Sequence, residues 1–261
     1  MAYYCFMVYE SILEKSRRGE RGLAVLIDPD KADETHLQTL FKQVNKAQVD
    51  WVFFGGSFVD PSDFKVCIEI VKRISNKPLV IFPGDNDQID ERADAMLFLS
   101  LVSGRNSEYL IGKHVEAAFE LYASGIEVIP SAYMVLDGGK QTSVLQKSET
   151  NSIPQHNLSL IRKTALASEM LGMKLIYMDA GSGAIKPIGP EVIRAVKDIS
   201  KLPLIVGGGI DSSEKMERAY QAGAEILVLG NVLEKDPNIL NALRNQGKPE
   251  ATWNSSSSPI A

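Results

Sequence analysis

Short runs of aliphatic, β-branched and aromatic residues recur along the chain, each followed by a polar break and then by apolar positions spaced three and four apart. The runs fall at residues 23–27, 51–54, 79–82, 96–99, 126–129, 175–178, 204–206 and 226–229. Between them the spacing is helical, as in Leu37, Leu40, Phe41 and Val44, or Met216, Ala219, Tyr220 and Gly223. Strand-length runs alternating with helix-period segments predict parallel βαβ units. The runs are almost continuously apolar, so both faces of each strand are expected to be covered. Such a series of similar units predicts a closed (β/α)8 barrel, with an open doubly wound sheet as the alternative.

Helix starts are readable where Asp60 precedes Pro61, where Gly189 precedes Pro190, and where Asp211 stands three residues before Glu214. Two connections are irregular. Segment 83–93 is polar and short, so the helix after the third strand is expected to be replaced by a mobile segment. Segment 130–154 is a long connection containing the turn signal Asp137-Gly138-Gly139. The first 22 residues predict an extra helix with Tyr9, Ile12 and Leu13 on one face, ending in the charged stretch 15–21. The serine-rich stretch 251–261 is expected to be disordered, leaving 1–250 as one barrel domain.

Charge narrows the partners. Lys and Arg total 28 against 33 Asp and Glu, a net −5, which argues against nucleic acid. Cys5 and Cys67 make no disulfide or metal spacing, no apolar run approaches the ~20 residues of a membrane span, and no leader-like segment is evident. A cytoplasmic protein is expected. Arg17, Arg18 and Arg21 could touch a membrane peripherally, although a solvated helix end explains them more simply. His36, His114 and His156 lack metal-ligand spacing and read as surface residues.

The 20 glycines are unremarkable in number, but many sit just after the apolar runs: Gly55, Gly56, Gly84, Gly181, Gly183, Gly207, Gly208, Gly209 and Gly230. In a parallel barrel this is the end where active sites are built. The clusters Gly207-Gly208-Gly209 and Gly230-Asn231 would bring backbone N–H groups together as a phosphate site. Asp28 and Ser57 follow the first two runs and offer hard oxygens suited to Mg²⁺, or else serve as a helix cap and a turn residue. Asp179 ends the sixth run, where it could accept a hydroxyl proton or simply orient its loop.

Together these residues resemble one family. Asp28-Pro29-Asp30-Lys31, Phe53-Phe54-Gly55-Gly56-Ser57, Phe82-Pro83-Gly84-Asp85, Tyr177-Met178-Asp179-Ala180-Gly181-Ser182-Gly183, Gly207-Gly208-Gly209-Ile210 and Gly230-Asn231 are similar to the geranylgeranylglyceryl phosphate synthase family, over nearly all of 23–240. The resemblance implies a Mg²⁺-dependent prenyltransferase joining sn-glycerol 1-phosphate to a polyprenyl diphosphate, the first ether bond of an ether lipid. It implies Asp28 and Ser57 as metal ligands. It implies Tyr177, Met178, Asp179, Ala180, Gly181, Ser182, Gly183, Gly208, Gly209, Gly230 and Asn231 as glycerol phosphate contacts. Asp179 is expected, from its place at the end of the sixth run, to be the catalytic proton acceptor. Leu26 and Asp179 stand where the shorter, heptaprenyl branch has lysine and glutamate, which favours the longer, geranylgeranyl-using branch. Lys31 and Lys186 are the candidates for the lost phosphate contact.

For the prenyl chain, Tyr133, Met134 and Val135 are candidate groove walls in the long fifth loop. Homo-oligomers are expected, with Trp51, Trp253 or exposed aromatics contributing. The competing readings are a Schiff-base aldolase or sugar-phosphate isomerase of the same fold, and a non-catalytic phosphate-binding barrel.

Overall fold

The computed structural model describes residues 7–31, 33–235 and 240. Strands β1 (Gly22–Ile27), β2 (Trp51–Phe54), β3 (Leu79–Ile81), β4 (Ala95–Leu101), β5 (Glu127–Val135), β6 (Leu175–Asp179), β7 (Leu204–Gly207) and β8 (Ile226–Leu229) form a closed barrel. Each pairs in parallel with the next, and β8 pairs with β1. The helices are α1 (Val8–Arg17), α2 (Glu34–Val44), α3 (Pro61–Ile74), α4 (Gly112–Ser124), α5 (Ser143–Ser148), α6 (Leu158–Met170), α7 (Pro190–Lys197), α8 (Ser213–Gln221) and α9 (Asn231–Lys235). None of them is long and apolar enough to cross a membrane.

The continuous hydrophobicity of the strands has the expected cause. One set of side chains, including Ala24, Phe53, Val80, Leu97 and Ile205, fills the barrel interior. The alternate set, including Val25, Val52, Ile81 and Met178, packs outward against buried helix faces such as Leu37, Leu40, Phe41 and Val44 of α2. Helix starts follow the local signals: Asp60 accepts from Ser62 N, and Pro190 opens α7. At α8 the cap is Ser212, accepting from Lys215 N, whereas Asp211 instead pairs with the Lys215 ammonium.

The N-terminal helix closes one end of the barrel. Val8 and Ile12 join the interior cluster beside Trp51 and Ile226, while Tyr9 and Leu13 are only half-buried. Glu127, at the start of β5, accepts from Val8 N (2.6 Å) and Tyr9 N (3.2 Å), serving as the cap that α1 lacks in its own sequence. Trp51 is 2% exposed and donates its indole N–H to Ser11 Oγ (3.1 Å), so it is a plug of this end and no part of an assembly surface. Gly22 makes the room: a Cβ there would lie 2.9 Å from Trp51 and from Ile226. The nearby arginines are spent on the protein's own carboxylates, Arg17 on Glu10, Arg18 on Glu14 and Arg21 on Glu217.

Two connections position the site. No helix joins β3 to β4. The connection is a chain of turns pinned by Asp94, which accepts from Leu79 N, by the Asp90–Arg92 pair, and by Gln88, which accepts from Gly84 N and donates to Gly56 O. After it, β5 runs nine residues, to Val135. The first residues, 130–135, of what sequence reads as a long fifth loop are therefore strand, followed by α5 and a bridge between Leu136 and Ile153. Trp253 and the stretch 251–261 lie outside the described residues.

Candidate active site

The other end of the barrel opens into a cavity of about 380 Å³, walled by the segments that follow β1, β2, β6, β7 and β8. It gathers Asp28, Ser57, Tyr177, Asp179, Ser182, Gly183, Gly208, Gly209, Gly230 and Asn231 around one space. Met178 and Ala180 are not in that wall. Side chains alternate along a strand, so these two turn outward into the helical layer. Gly181 stands behind the wall, where its N–H donates to Asp179 Oδ1 (2.7 Å).

The glycines here are required by close approach. Gly208 has φ +82°, and a Cβ on it would lie 2.7 Å from both Asp179 Oδ1 and Gly181 N. A side chain at this point would be strained and would fill the space through which an anion reaches backbone N–H groups. Ser182 Oγ donates to Asn231 Oδ1 (2.8 Å), tying the β6 segment to the β8 segment. Leu26 lines the cavity. Lys140 stands close by, its Nζ 3.0 Å from the position a Cβ on Gly183 would take.

Asp179 is aimed into the mouth and fixed there. Its Oδ2 accepts from the Tyr133 hydroxyl (2.7 Å), and its Oδ1 from Gly181 N. Burial raises its pKa above the usual aspartate value, and these two hydrogen bonds only partly offset the rise. A half-buried carboxylate with a raised pKa is a better proton acceptor than an exposed one. Burial, with Asp179 adding to it, pushes the phenols of Tyr133 and Tyr177 well above 10, so both stay protonated donors. The rings of Phe82, Tyr133 and Tyr177 meet at 5.1 to 5.6 Å and floor the cavity.

Asp28 and Ser57 fit a hard cation held at two points. Both line the cavity, and Gly56 leaves Asp28 room: a Cβ there would lie 2.6 Å from Asp28 Oδ1. Among the described residues no group of three or more His, Cys, Asp or Glu could hold a metal by itself. One carboxylate and one hydroxyl suit Mg²⁺, which keeps waters and takes phosphate oxygens as further ligands.

Beside the mouth lies a narrower cleft of about 90 Å³, sharing Ser57, Phe82, Tyr133 and Val144 with the cavity. Its walls are mostly apolar, with Ile89, Met96, Phe98, Leu99 and Leu101 among them. Of the three expected groove residues only Tyr133 faces it. Met134 and Val135 are fully buried in strand β5, Met134 turned outward and Val135 packed in the barrel interior. His114 is also in the wall rather than on the surface. Its ring packs edge-on against Phe98 (4.3 Å), its Nε2 lies 3.3 Å from Ser100 Oγ, and burial lowers its pKa.

Several residues of the mouth carry no sequence signal. Thr142 is 4% exposed and lines the cavity, with Oγ1 lacking a hydrogen-bond partner among the described residues. Asp85, Lys113 and Lys147 come from three separate segments and meet in the cleft wall. No local pattern announces such a meeting. No Lys or Arg lines the larger cavity among the described residues, which removes the Schiff-base reading.

Fold and site together define a (β/α)8 barrel with a glycine-rich mouth that adjoins an apolar cleft. The chain belongs to the PcrB family, whose profile matches residues 16–246. It is 45% identical over 225 residues to geranylgeranylglyceryl phosphate synthase of Spirosoma linguale, covering 86% of this chain and 90% of that one. The protein of that name from Thermococcus kodakarensis is 35% identical over 234 residues, 89% of this chain and 92% of its own. The crystal structure of (S)-3-O-geranylgeranylglyceryl phosphate synthase from Thermoplasma acidophilum, in complex with its substrate sn-glycerol-1-phosphate, superposes with a TM-score of 0.85. It has 34% identity and covers 92% of this chain and 96% of that one.

Proposed function

We propose that this protein is a prenyltransferase that joins the C3 hydroxyl of sn-glycerol 1-phosphate to geranylgeranyl diphosphate, releasing pyrophosphate. The observation that carries this reading is the pairing of the two spaces. A chamber of glycine backbone and one oriented carboxylate opens, past Ser57 and Tyr133, onto an apolar cleft. A sugar-phosphate isomerase has no use for such a cleft. The relative from Thermoplasma acidophilum was solved in complex with sn-glycerol-1-phosphate as its substrate, which supports the same substrate here.

In this reading the backbone at Gly183, Gly208, Gly209 and Gly230 holds the glycerol phosphate, with Ser182 and Asn231 closing the loops around it. Asp28 and Ser57 hold Mg²⁺, and the chemistry that ion supplies when bound is neutralisation of charge on the leaving diphosphate. As the allylic C–O bond to diphosphate breaks, the C3 oxygen bonds to that carbon. Its proton passes to the free lone pairs of the Asp179 carboxylate, whose direction Tyr133 and Gly181 fix. Positioning carries much of the rate, since the hydroxyl becomes acidic only as the new bond forms.

Self-association belongs to this reading as well. Ile111, Val115, Phe119 and Tyr122 recur along one side of α4, with Phe119 and Tyr122 about nine-tenths exposed. We assign this stripe to a second copy, and Phe119→Lys should lower the mass seen by light scattering.

Incubating the protein with sn-glycerol 1-phosphate, geranylgeranyl diphosphate and Mg²⁺ tests the function. Pyrophosphate and the ether product should appear together. Folded protein that yields neither would refute the assignment.

A further inference from the structure

The larger cavity presents a difficulty. Asp28, Asp30, Asp179 and Asp211 line it, and no described Lys or Arg does. Under the function proposed above, on which this inference rests, it must receive a glycerol phosphate and the diphosphate end of a prenyl chain. The nearest lysines at the shared rim stand in the neighbouring cleft and are already occupied. Lys113 Nζ lies 2.5 Å from Asp85 Oδ1, and Lys147 Nζ lies 2.7 Å from Asp85 Oδ2. Lys147 Nζ also donates to the backbone oxygen of Ser57 (2.6 Å), a residue common to both spaces. Its other neighbour is the ring of Phe58, at 5.5 Å, which lines the larger cavity.

We propose that Asp85 is an internal stand-in for the prenyl diphosphate, and that Lys147, assisted by Lys113, exchanges the Asp85 carboxylate for the diphosphate when the substrate enters. Both lysine side chains are roughly three-quarters buried or more, so leaving them unpaired would be costly. The carboxylate keeps them charged and oriented until a stronger anion arrives. A diphosphate offers more charge and more acceptor oxygens than one carboxylate, so the exchange favours the substrate. The same ion pairs tie the 83–93 segment to α4 and α5. Exchange therefore also loosens the wall of the apolar cleft as the chain needs entry. Glycerol phosphate has no part in this exchange, because its chamber lies on the far side of Tyr133.

The signs of two substitutions test the idea. Binding of inorganic pyrophosphate to the full chain at fixed Mg²⁺, measured by titration calorimetry, should weaken ~10-fold or more in Lys147→Met. It should tighten by roughly threefold or more in Asp85→Asn, which removes the competing anion. Lys147→Arg should recover most of the loss. The KM for sn-glycerol 1-phosphate should stay within about twofold throughout. If the triad only braces the fold, both substitutions weaken pyrophosphate binding together, and that result overturns the proposal. Unchanged binding in Lys147→Met overturns it too, even where turnover is normal. Absence of turnover with geranylgeranyl diphosphate, accompanied by opposite shifts in pyrophosphate binding, would refute the prenyltransferase assignment while leaving the exchange site standing.

Discussion

The two ends of this barrel are built from the same strands to opposite purposes. At the sealed end Trp51, Ile226, Val8 and Ile12 interdigitate, and Glu127 and Ser11 satisfy the polar groups that burial leaves. At the open end apolar contact gives way to glycines with positive φ, oriented carboxylates and a threonine hydroxyl without a partner among the described residues. Stability is concentrated where side chains fill space. Function is concentrated where glycine keeps space open, at a cost in packing. Substitutions at the two ends should therefore dissociate: the open end loses chemistry with little loss of stability, and the sealed end the reverse.

The sharpest test at the open end is Asp28→Asn. It should lower kcat by ~10³-fold or more, with thermal unfolding nearly unchanged and sn-glycerol 1-phosphate still bound, because under the proposed function it removes a cation ligand and no packing. Comparable loss of glycerol phosphate affinity would break the assignment. At the sealed end Trp51→Ala should destabilise the fold by about 3–5 kcal/mol in denaturant titrations. Its folded fraction should keep wild-type turnover, and a large fall in kcat would show that the ends are coupled.

A smaller effect is expected for Asp179→Asn, a loss in kcat of roughly 10²-fold. Because burial raises the Asp179 pKa, wild-type kcat should fall with acid at a pH above the ordinary carboxylate range. Tyr133→Phe removes a hydrogen bond that lowers that pKa, so its acid limb should move higher still.

The smallest effect concerns Asp85. Burial alone would raise its pKa, but hydrogen bonds from Lys113 and Lys147 outweigh this and hold it at about 2. A depressed carboxylate stabilises the fold fully above its unfolded value near 3.8, and the contribution is lost as pH falls towards about 2. That contribution is about 2 kcal/mol. Acid titrations of wild type and Asp85→Asn should differ by this amount above about pH 4 and converge as pH falls through that window towards about 2.

Much of the open end was legible in sequence because its chemistry is local. Glycines directly after apolar runs, and Asp28, Ser57 and Asp179 within three residues of a run's end, mark strand C-termini once the barrel is recognised. The facing of individual side chains was less legible. Tyr133, Met134 and Val135 form a stretch without alternation, so nothing in it tells which residue faces the mouth, and only Tyr133 does. Trp51 reads equally well as an interface residue and as a plug until Gly22 and Ile226 are placed beside it. His114 reads as a surface residue until Phe98 and Ser100 close over it.

By itself the sequence determined the number and direction of the strands, the missing helix after β3, and the residues at the rim. These follow from periodicity and from glycine's backbone freedom, which act over a few positions. Tertiary structure alone decided that Tyr133 orients Asp179, that Glu127 caps α1, and that Asp85 gathers Lys113 and Lys147. Each of these joins segments from 28 to 119 residues apart only after the barrel closes: 46 for Tyr133 and Asp179, 119 for Val8 and Glu127, 28 for Asp85 and Lys113. Register across the closed sheet sets those distances, and no stretch of chain encodes it alone.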